Sequence, residues 1–407
     1  MGRPKRRKKE QQKDEIMAAV KVVVPDSADI VVIGGGAAGL AAAITAAHAG
    51  AKVVVLEMAP RIGRTILATG NGRCNFSNRD LAPEHYNHPD FVQQVMGPNP
   101  TDKVLSFFSD LGLAWAEEEG RLYPLSRQAE SVRQVLLARA RREGVILASA
   151  HRCLSFNWTN DEWHLDFYGL KSASDVEHTS AHTIIYAAGG EVPPEAVPKE
   201  VEFVPPTPAL CPLACEGLPF EQLNGRRLHA QAQLIRDTKV IDEESGEFLF
   251  RSYGLSGIAT FNLSRKAQPH DRIVLDAAPA YTQQQVMHLI SLAGSSQGVC
   301  DPVLAKYIDQ KARYKTAKAA HLIKHLTMEI TGKADTDHAQ IHRGGFAVSS
   351  FSAETLEATG APRFYAAGEA LDVDGDCGGY NLSWAWLSGI RAGQAGAEAI
   401  KKEHPDA

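Results

Sequence analysis

Gly34, Gly36 and Gly39 follow the run Asp29-Ile-Val-Val-Ile33 in the spacing G-x-G-x-x-G. Glycines so placed bring bare backbone N–H groups up to an anionic phosphate. The first permits a tight turn, the second lets a pyrophosphate approach, and the third lets the next helix pack on the strand. Gly35, Ala37 and Ala38 complete that turn. Glu57, with Met58 beside it, stands 18 positions past Gly39. A carboxylate there can accept the hydroxyls of an adenosine ribose. It also disfavours a 2′-phosphate, and so NADP, at this site.

A second group lies in Arg64-Thr65 and Thr69-Gly-Asn-Gly-Arg-Cys-Asn75. Thr69, Gly70, Asn71 and Gly72 form a loop tolerant of positive φ, which can present N–H groups to a phosphate or a flat ring. Arg64 and Arg73 are cations beside the expected pyrophosphate. Arg73 and Asn75 could orient a ring or polarise a substrate carbonyl. Cys74 is either a redox thiol or a small packing residue, and Cys377 poses the same choice. A third group sits near the far end, at Gly368-Glu369, Asp372 and Gly378-Gly-Tyr-Asn-Leu382. Tyr380 is a candidate proton donor or a ring packed on the cofactor. His342 and Arg343 precede Gly344-Gly345, whose bare backbone would admit a flat ring. An imidazole there could protonate a product, and a guanidinium could clamp an anionic substrate.

The elements needed to position these groups are legible. Ile30 to Ile33 reads as a strand buried on both faces, Ala37 to Ala47 as a helix, and Val53 to Leu56 as a parallel partner strand. Asp102–Leu111, Ser126–Arg142, Thr282–Ala293 and Ala312–Thr331 read as helices. Leu154–Trp158 and Trp163–Phe167 read as a hairpin. Thr183 to Gly190 is a further buried strand, ending in Ala188 and Gly189. His229–Ile235 and Glu247–Phe250 are β-like, and Tyr253–Gly257 is a turn-rich joint. Phe364 to Glu369 is another strand ending in glycine and an acid. A helix of small residues follows Gly378-Gly379, with Gly389, Gly393 and Gly396 allowing close packing. Its positive N-terminal end suits the charge that a flavin's pyrimidine edge gains on reduction. A simple NAD dehydrogenase needs one fingerprint, whereas two nucleotide-type elements at opposite ends imply the longer FAD.

Composition narrows the class. At 407 residues, 44% apolar and 22% charged, the chain reads as an ordinary globular protein of more than one domain. A net charge of −5 gives no bulk attraction to nucleic acid. Six cysteines imply a reducing, cytoplasmic setting. No apolar run reaches the ~18 residues a bilayer requires. His321 and His325 lack a third ligand, and Asp374-Gly-Asp376 lacks the calcium-loop glycine and glutamate, so no metal is expected. Residues 1–28 form a basic arm, with seven Lys or Arg between positions 3 and 13. It is read as a solvated tail, with an RNA or acidic-lipid grip as the alternative.

Four motifs carry a resemblance across nearly the whole chain. They are Ile33-Gly-Gly-Gly-Ala-Ala-Gly39, Ile66-Leu-Ala-Thr-Gly-Asn-Gly-Arg-Cys-Asn75, Gly254-Leu-Ser-Gly257, and Gly368-Glu369 to Gly378-Gly-Tyr-Asn381. The sequence resembles the BaiN-like (YhiN-like) family of FAD-binding oxidoreductases, also called aminoacetone-oxidase-like flavoproteins. The resemblance implies an α/β fold: a Rossmann-type FAD domain from both chain ends (29–190 and 337–407) and an inserted β-barrel-like domain with helices (191–336). It implies FAD contacts at Gly34 to Gly39, Glu57, Arg64, Gly70 to Asn75, the backbone near Cys153, Glu369 and Gly378 to Leu382. Met58, Thr65, Thr69, Ala188, Gly189, Gly368 and Asp372 complete the expected set. Hydride transfer to or from a small organic substrate is implied, by reduction of steroid-acid enones or by amine oxidation, with NAD(P)H as a transient electron donor. Alternatives are a flavin-bearing RNA-associated protein and a plain NAD dehydrogenase. The chain departs from the family at Thr65, where a basic residue is usual, and at Ala187-Ala-Gly-Gly190. It departs again at Glu191-Val-Pro-Pro194 and at Ile341-His342-Arg343.

Overall fold

The computed structural model describes residues 22–169, 175–190 and 198–403. The basic stretch 3–13 and the Glu191–Pro194 departure lie outside the described residues. Two compact units emerge: residues to Thr207 together with His342–Ala407, and Pro208–Ile341.

The first unit is built on a seven-stranded sheet. Its parallel core is Ile146–Ser149, Val53–Glu57, Ser27–Ile33 and Glu177–Tyr186, in that spatial order. Ile30, Val31, Val32, Val54 and Val55 are essentially inaccessible to solvent, as a strand covered on both faces requires. The expected hairpin forms as Glu162–Gly169 against His151–Thr159 and extends this sheet antiparallel. Phe364–Ala366 pairs in parallel with the end of Glu177–Tyr186. The two chain ends thus meet in one sheet.

Helix Ala37–His48 crosses from the first strand to the second. Against it lies the 24-residue C-terminal helix Tyr380–Glu403. Its small residues have a visible purpose. A Cβ at Gly389 would strike the Ala38 carbonyl, and one at Gly393 the Ala42 carbonyl. Glycine lets the two helix backbones touch. Trp384 and Trp386, both fully buried, donate indole N–H bonds to the carbonyls of Gly368 (3.0 Å) and Phe76 (2.9 Å). Burying two indoles with their N–H groups satisfied fixes the helix axially as well as laterally.

The second unit is a closed six-stranded barrel, built from Leu213–Glu216, Gly254–Ser256, Lys239–Arg251, Arg227–Arg236, Arg272–Asp276 and Leu326–Lys333. Two readings change here. The run Ala312–Thr331 is not one helix: helix Thr316–Lys324 ends and a barrel strand starts at Leu326. Alternation of buried Leu326, Met328 and Ile330 with Thr327, Glu329 and Thr331 is the period-2 signal that the helical reading passed over. Within Tyr253–Gly257, residues Gly254–Ser256 are a barrel strand rather than a joint. Helix Gln283–Ala293 carries a full capping box from Thr282 and Gln285.

None of the six cysteines is in a disulfide. Among the described residues no helix is long and apolar enough to cross a membrane. Among them, too, no group of three His, Cys, Asp or Glu residues could hold a metal ion.

Candidate functional site

The glycine turn is held from below by the sheet. Gly34 has φ +105°, and a Cβ there would collide with the Ala187–Ala188 backbone. Gly35 N–H donates to Glu57 Oε2 (2.7 Å) and Ala59 N–H to Glu57 Oε1 (2.6 Å). Each carboxylate oxygen keeps a further lone pair for a ribose hydroxyl. Helix Ala37–His48 starts on Gly36 with no side-chain cap and no acidic residue in its first turn. Its terminal N–H groups have no intrahelical acceptor, which suits a phosphate. Ala37 is half-buried, whereas Ala38 and Gly39 lie inside. Thr65 approaches the turn, its Oγ1 being 3.4 Å from the Cβ position of Gly36. Arg64 and Met58 are exposed.

The second loop is shaped by left-handed backbone. Gly70 (φ 55°), Asn71 (φ 54°), Gly72 (φ 83°) and Cys74 (φ 57°) all take positive φ. The loop closes through Arg73 N–H to Gly70 O and Cys74 N–H to Thr69 O. Arg73 is exposed, with its guanidinium 5.2 Å from the Tyr123 ring centre. Cys74 is fully buried, and burial pushes its thiol up to about 12. A thiol so protonated is a packing residue and not a nucleophile at neutral pH. Cys153, on the outer strand, is likewise pushed up to about 12 by burial. Asn75 is 9% exposed, and its Oδ1 is buried without a hydrogen-bond partner among the described residues. A buried amide oxygen left unpaired carries a free-energy cost that a bound donor would remove.

The third loop faces that oxygen. A Cβ at Gly379 would lie 3.0 Å from Asn75 Oδ1 and 2.5 Å from Ser77 O. Asn78 Nδ2 donates to Gly378 O (2.9 Å), and the Ser77 and Ser383 hydroxyls meet at 2.9 Å. Asn381 is spent inside its own loop: Oδ1 accepts Gly375 N–H, while Nδ2 donates to the carbonyls of Gly375 and Asp376. What Asn381 and Leu382 can offer a ligand is therefore helix N-terminal backbone. Gly368 lies against Ala38 with φ 66° and donates its N–H to Ser388 Oγ (2.9 Å). Gly189 (φ 86°) has open space on its side-chain face, and Ala188 is exposed.

Around Asp372 a polar network gathers. Its Oδ1 accepts Gly344 N–H (3.0 Å), and its Oδ2 lies 3.3 Å from His88 Nε2. Burial is the largest single influence on this carboxyl and raises it. His88, the Gly344 N–H and Arg343 together outweigh burial and hold it below the ordinary range. Arg343 Nε lies 3.4 Å from Oδ1 of Asp374, a nearly inaccessible carboxylate. His342 donates its backbone N–H to Glu369 Oε1 (2.8 Å). Gly344 and Gly345 answer to protein rather than to a ring. A Cβ at Gly344 would lie 2.8 Å from the Val204 and Pro205 carbonyls, and one at Gly345 2.5 Å from the Ala370 carbonyl.

Tyr380, the first residue of the C-terminal helix, is 8% exposed. Its hydroxyl lies 3.3 Å from His85 Nε2, and the two rings stack at 4.2 Å. His85 was not legible as a site residue. Its partners Tyr380 and Asp376 lie 295 and 291 positions away, and nothing local in Pro83-Glu-His85 signals them. Asn78, Asn87, His88 and Ser383 escaped for the same reason.

The residues present fit a dinucleotide with a planar ring system. The uncapped helix start, the carboxylate at Glu57 and the unpaired Asn75 Oδ1 are the observations that decide it. Arg127 shares the Tyr123 ring with Arg73, its guanidinium 4.7 Å from the ring centre, and Arg79 lies 4.9 Å from the Trp115 ring centre.

A family model described as "HI0933-like protein Rossmann domain" matches residues 28–395. A protein of Clostridium scindens named "3-dehydro-bile acid delta(4,6)-reductase" is 31% identical over 401 residues, 88% of this chain and 96% of its own. A Haemophilus influenzae protein named "Ribosomal RNA dihydrouridine synthase" is 25% identical, over 86% of this chain and 93% of its own. Among solved structures, Escherichia coli quinol fumarate reductase FrdA matches with a TM-score of 0.50 at 14% identity, over 93% of this chain and 71% of that one. That likeness concerns the fold.

Proposed function

The chain belongs to the HI0933-like family, and from that membership and its site we propose an FAD-dependent reductase of carbon–carbon double bonds conjugated to a carbonyl. The observation that carries the reading is the meeting of two nucleotide-type elements at one buried amide. The Gly70–Asn75 loop and the Gly378–Leu382 helix start meet at the unpaired Asn75 Oδ1, and the helix that follows the glycine turn packs on the same C-terminal helix, Ala38 against Gly389. The names of the relatives support the reaction class. A 3-oxo steroid with 4,6 unsaturation and a uracil ring both carry an alkene conjugated to a carbonyl.

Bound FAD supplies two-electron hydride chemistry. The chain's own residues do the rest. The Gly34–Gly39 turn and the N-terminus of helix Ala37–His48 hold the pyrophosphate. Glu57 orients the adenosine ribose. Gly70 to Asn75 and the helix start at Gly378 to Leu382 hold the ring system, with Asn75 Oδ1 accepting a ring N–H. Tyr380 holds a proton at its phenol oxygen for the carbon alpha to the carbonyl. Arg343, braced by Asp374, orients an anionic substrate. Electrons arrive from a reduced nicotinamide cofactor that visits and leaves.

The test is reconstitution with FAD and a nicotinamide donor, then mass analysis for a two-hydrogen gain in a 3-oxo-4-ene steroid acid. Expected are a yellow protein and the saturated product. A colourless chain that cannot be reconstituted overturns the reading. A uracil in RNA is the second reading, favoured by the H. influenzae relative and by the basic stretch 3–13. Here dihydrouridine forms in ribosomal RNA, and removing residues 1–15 weakens RNA binding more steeply at low salt.

A further inference from the structure

Tyr380 is a poor proton donor standing alone. Each turnover would leave a phenolate on a side chain that is only 8% exposed. The structure supplies a way out. His85 stacks on the Tyr380 ring with centroids 4.2 Å apart, and its Nε2 lies 3.3 Å from the phenol oxygen. Unlike Tyr380, the His85 side chain reaches solvent, being 29% exposed. Its Nδ1 lies 2.8 Å from Asp376 Oδ2, and Asp376 N–H donates to the His85 carbonyl (3.0 Å). Tyr86, next in sequence, donates its hydroxyl to the Tyr380 carbonyl (2.9 Å). The three side chains therefore hold their arrangement from both backbones.

We propose that His85 re-supplies the Tyr380 phenol with protons from solvent, with Asp376 orienting and charging the imidazole, so that Tyr380–His85–Asp376 is the proton-delivery line of the reduction. The proposal rests on the conjugated-alkene reading above. Once the beta carbon has received hydride, ultimately from the reduced nicotinamide, the alpha carbon needs a proton. The Tyr380 O–H bond breaks, a C–H bond forms, and the O–H electron pair stays on the phenolate. His85 Nε2–H then passes its proton to that oxygen, and water re-protonates Nε2. Tyr380 is the catalytic residue; His85 and Asp376 act through it as positioning residues.

Charge state decides whether the line works. Neutral His85, with its Nδ1–H turned to Asp376, presents Nε2 as an acceptor and draws the phenol proton away from substrate. Charged His85 donates from Nε2 and leaves the phenol proton free to point elsewhere. The groups facing His85 favour the charged form. Asp376 Oδ2 lies 2.8 Å from Nδ1, and Asp80 Oδ2 lies 3.4 Å from Nε2. The hydrogen bond to Asp376 is the largest influence and raises His85; burial opposes it, and Asp80 adds to the rise. The nearby His88 is engaged by Asp372.

The experiment uses FAD-loaded full chain and the variants Tyr380→Phe, His85→Gln and Asp376→Asn. Proton NMR follows the His85 titration without substrate, and steady-state kinetics follow pH with the conjugated steroid acid. Tyr380→Phe is expected to move the His85 titration, and Asp376→Asn to lower its proton affinity by about tenfold or more. His85→Gln is expected to cut kcat by about a hundredfold or more while KM and bound FAD stay as in wild type. Wild-type kcat falls as pH rises through the His85 titration, and His85→Gln loses that limb. Wild type active with His85→Gln unchanged in kcat and pH profile overturns the relay alone, as does a His85 titration indifferent to Tyr380. Wild type inert toward every conjugated substrate overturns the functional reading instead.

Discussion

Gly379→Ala and Gly50→Ala make a matched pair, because both glycines sit at φ +100°. The backbone strain of placing an L residue there is therefore common to both, about 1–2 kcal/mol. They differ in surroundings. A Cβ at Gly50 meets nothing within 4 Å, whereas one at Gly379 lies 2.5 Å from Ser77 O and 2.6 Å from Ser77 C. Real Cβ contacts stay above 3.0 Å, so something must move by at least the difference, 3.0 − 2.5 = 0.5 Å. The obstacle is backbone, since Ser77 is fully buried and strand-paired with Leu122. Overpacking of this kind costs about 1–3 kcal/mol beyond the shared strain. For a unit of this size that is roughly 2–4 °C in Tm per kcal/mol. The same half-ångström shift separates the helix start from Asn75, and sites lose function when displaced by about 0.5 Å. Gly379→Ala should thus melt several degrees below Gly50→Ala and lose FAD affinity about tenfold or more. Gly50→Ala should bind FAD as wild type does. Thermal unfolding and flavin fluorescence titration measure both. Equal melting points with unchanged FAD affinity in both variants would refute the assignment of Gly379 as a close-approach glycine beside the cofactor.

Arg236 grips the 2%-exposed Asp271 through two 2.9 Å hydrogen bonds, and Gln268 N–H adds a third at 2.8 Å. Arg236→Ala strands a buried carboxylate and should destabilise the barrel unit by about 3–5 kcal/mol in denaturant titration. Burial is the largest influence on Asp271 and raises it, but Arg236 and Gln268 outweigh it and the net shift is downward. A carboxyl lowered on folding stabilises above its unfolded value, near about 3.9, and loses that contribution as pH falls through the folded value. In Arg236→Ala burial raises that carboxyl instead, so the destabilisation by Arg236→Ala should shrink as pH falls below about 4 and the stranded carboxylate takes up a proton. Cys74, Cys153, Cys215 and Cys300 are all pushed up to about 12, so mass spectrometry at pH 8 should find Cys74 unalkylated until the chain unfolds. Asn381→Ala frees the Gly375–Asp376 loop and should weaken FAD by about 1–2 kcal/mol without lowering Tm to the same degree.

The first turn was legible because its physics is local. The strand, the three glycines, the helix and Glu57 all fall within 29 residues, and each constrains the next. The central sheet was legible for a related reason, since β-branched runs announce burial on both faces. The rest depended on partners outside each motif. Gly344 and Gly345 looked like room for a ring, yet the backbones that need that room belong to Val204–Pro205 and Ala370. Arg343 is a candidate clamp for an anionic substrate, and the carboxylate that braces it, Asp374, lies outside its own motif. Asn381 remains a candidate ligand contact through its backbone, because its amide closes its own loop. The helix expected over Ala312–Thr331 stopped early because the barrel takes Leu326–Lys333 as a strand, where closing the barrel outweighs local propensity.

The C-terminal helix explains why the site needs both ends of the chain. Its glycines admit the first helix at Ala38 and Ala42, and its indoles fasten the carbonyls of Gly368 and Phe76. Gly368 belongs to the last strand's turn, while Phe76 follows the left-handed loop that positions Asn75. One rigid element therefore sets the spacing of three loops from both ends of the chain, its contacts to Phe76 and Ser77 spanning 310 and 306 positions in sequence. The loops carry little apolar surface of their own, and Arg64, Thr65, Gly70 and Arg73 are exposed. Their order is borrowed from buried Trp384 and Trp386, whose indole N–H groups are spent on the carbonyls of Gly368 and Phe76. A substitution at either indole would reach the ligand through the loops it anchors. The chemistry of a site of this kind resides in backbone N–H groups, and these stay aimed only while the helix behind them stays docked.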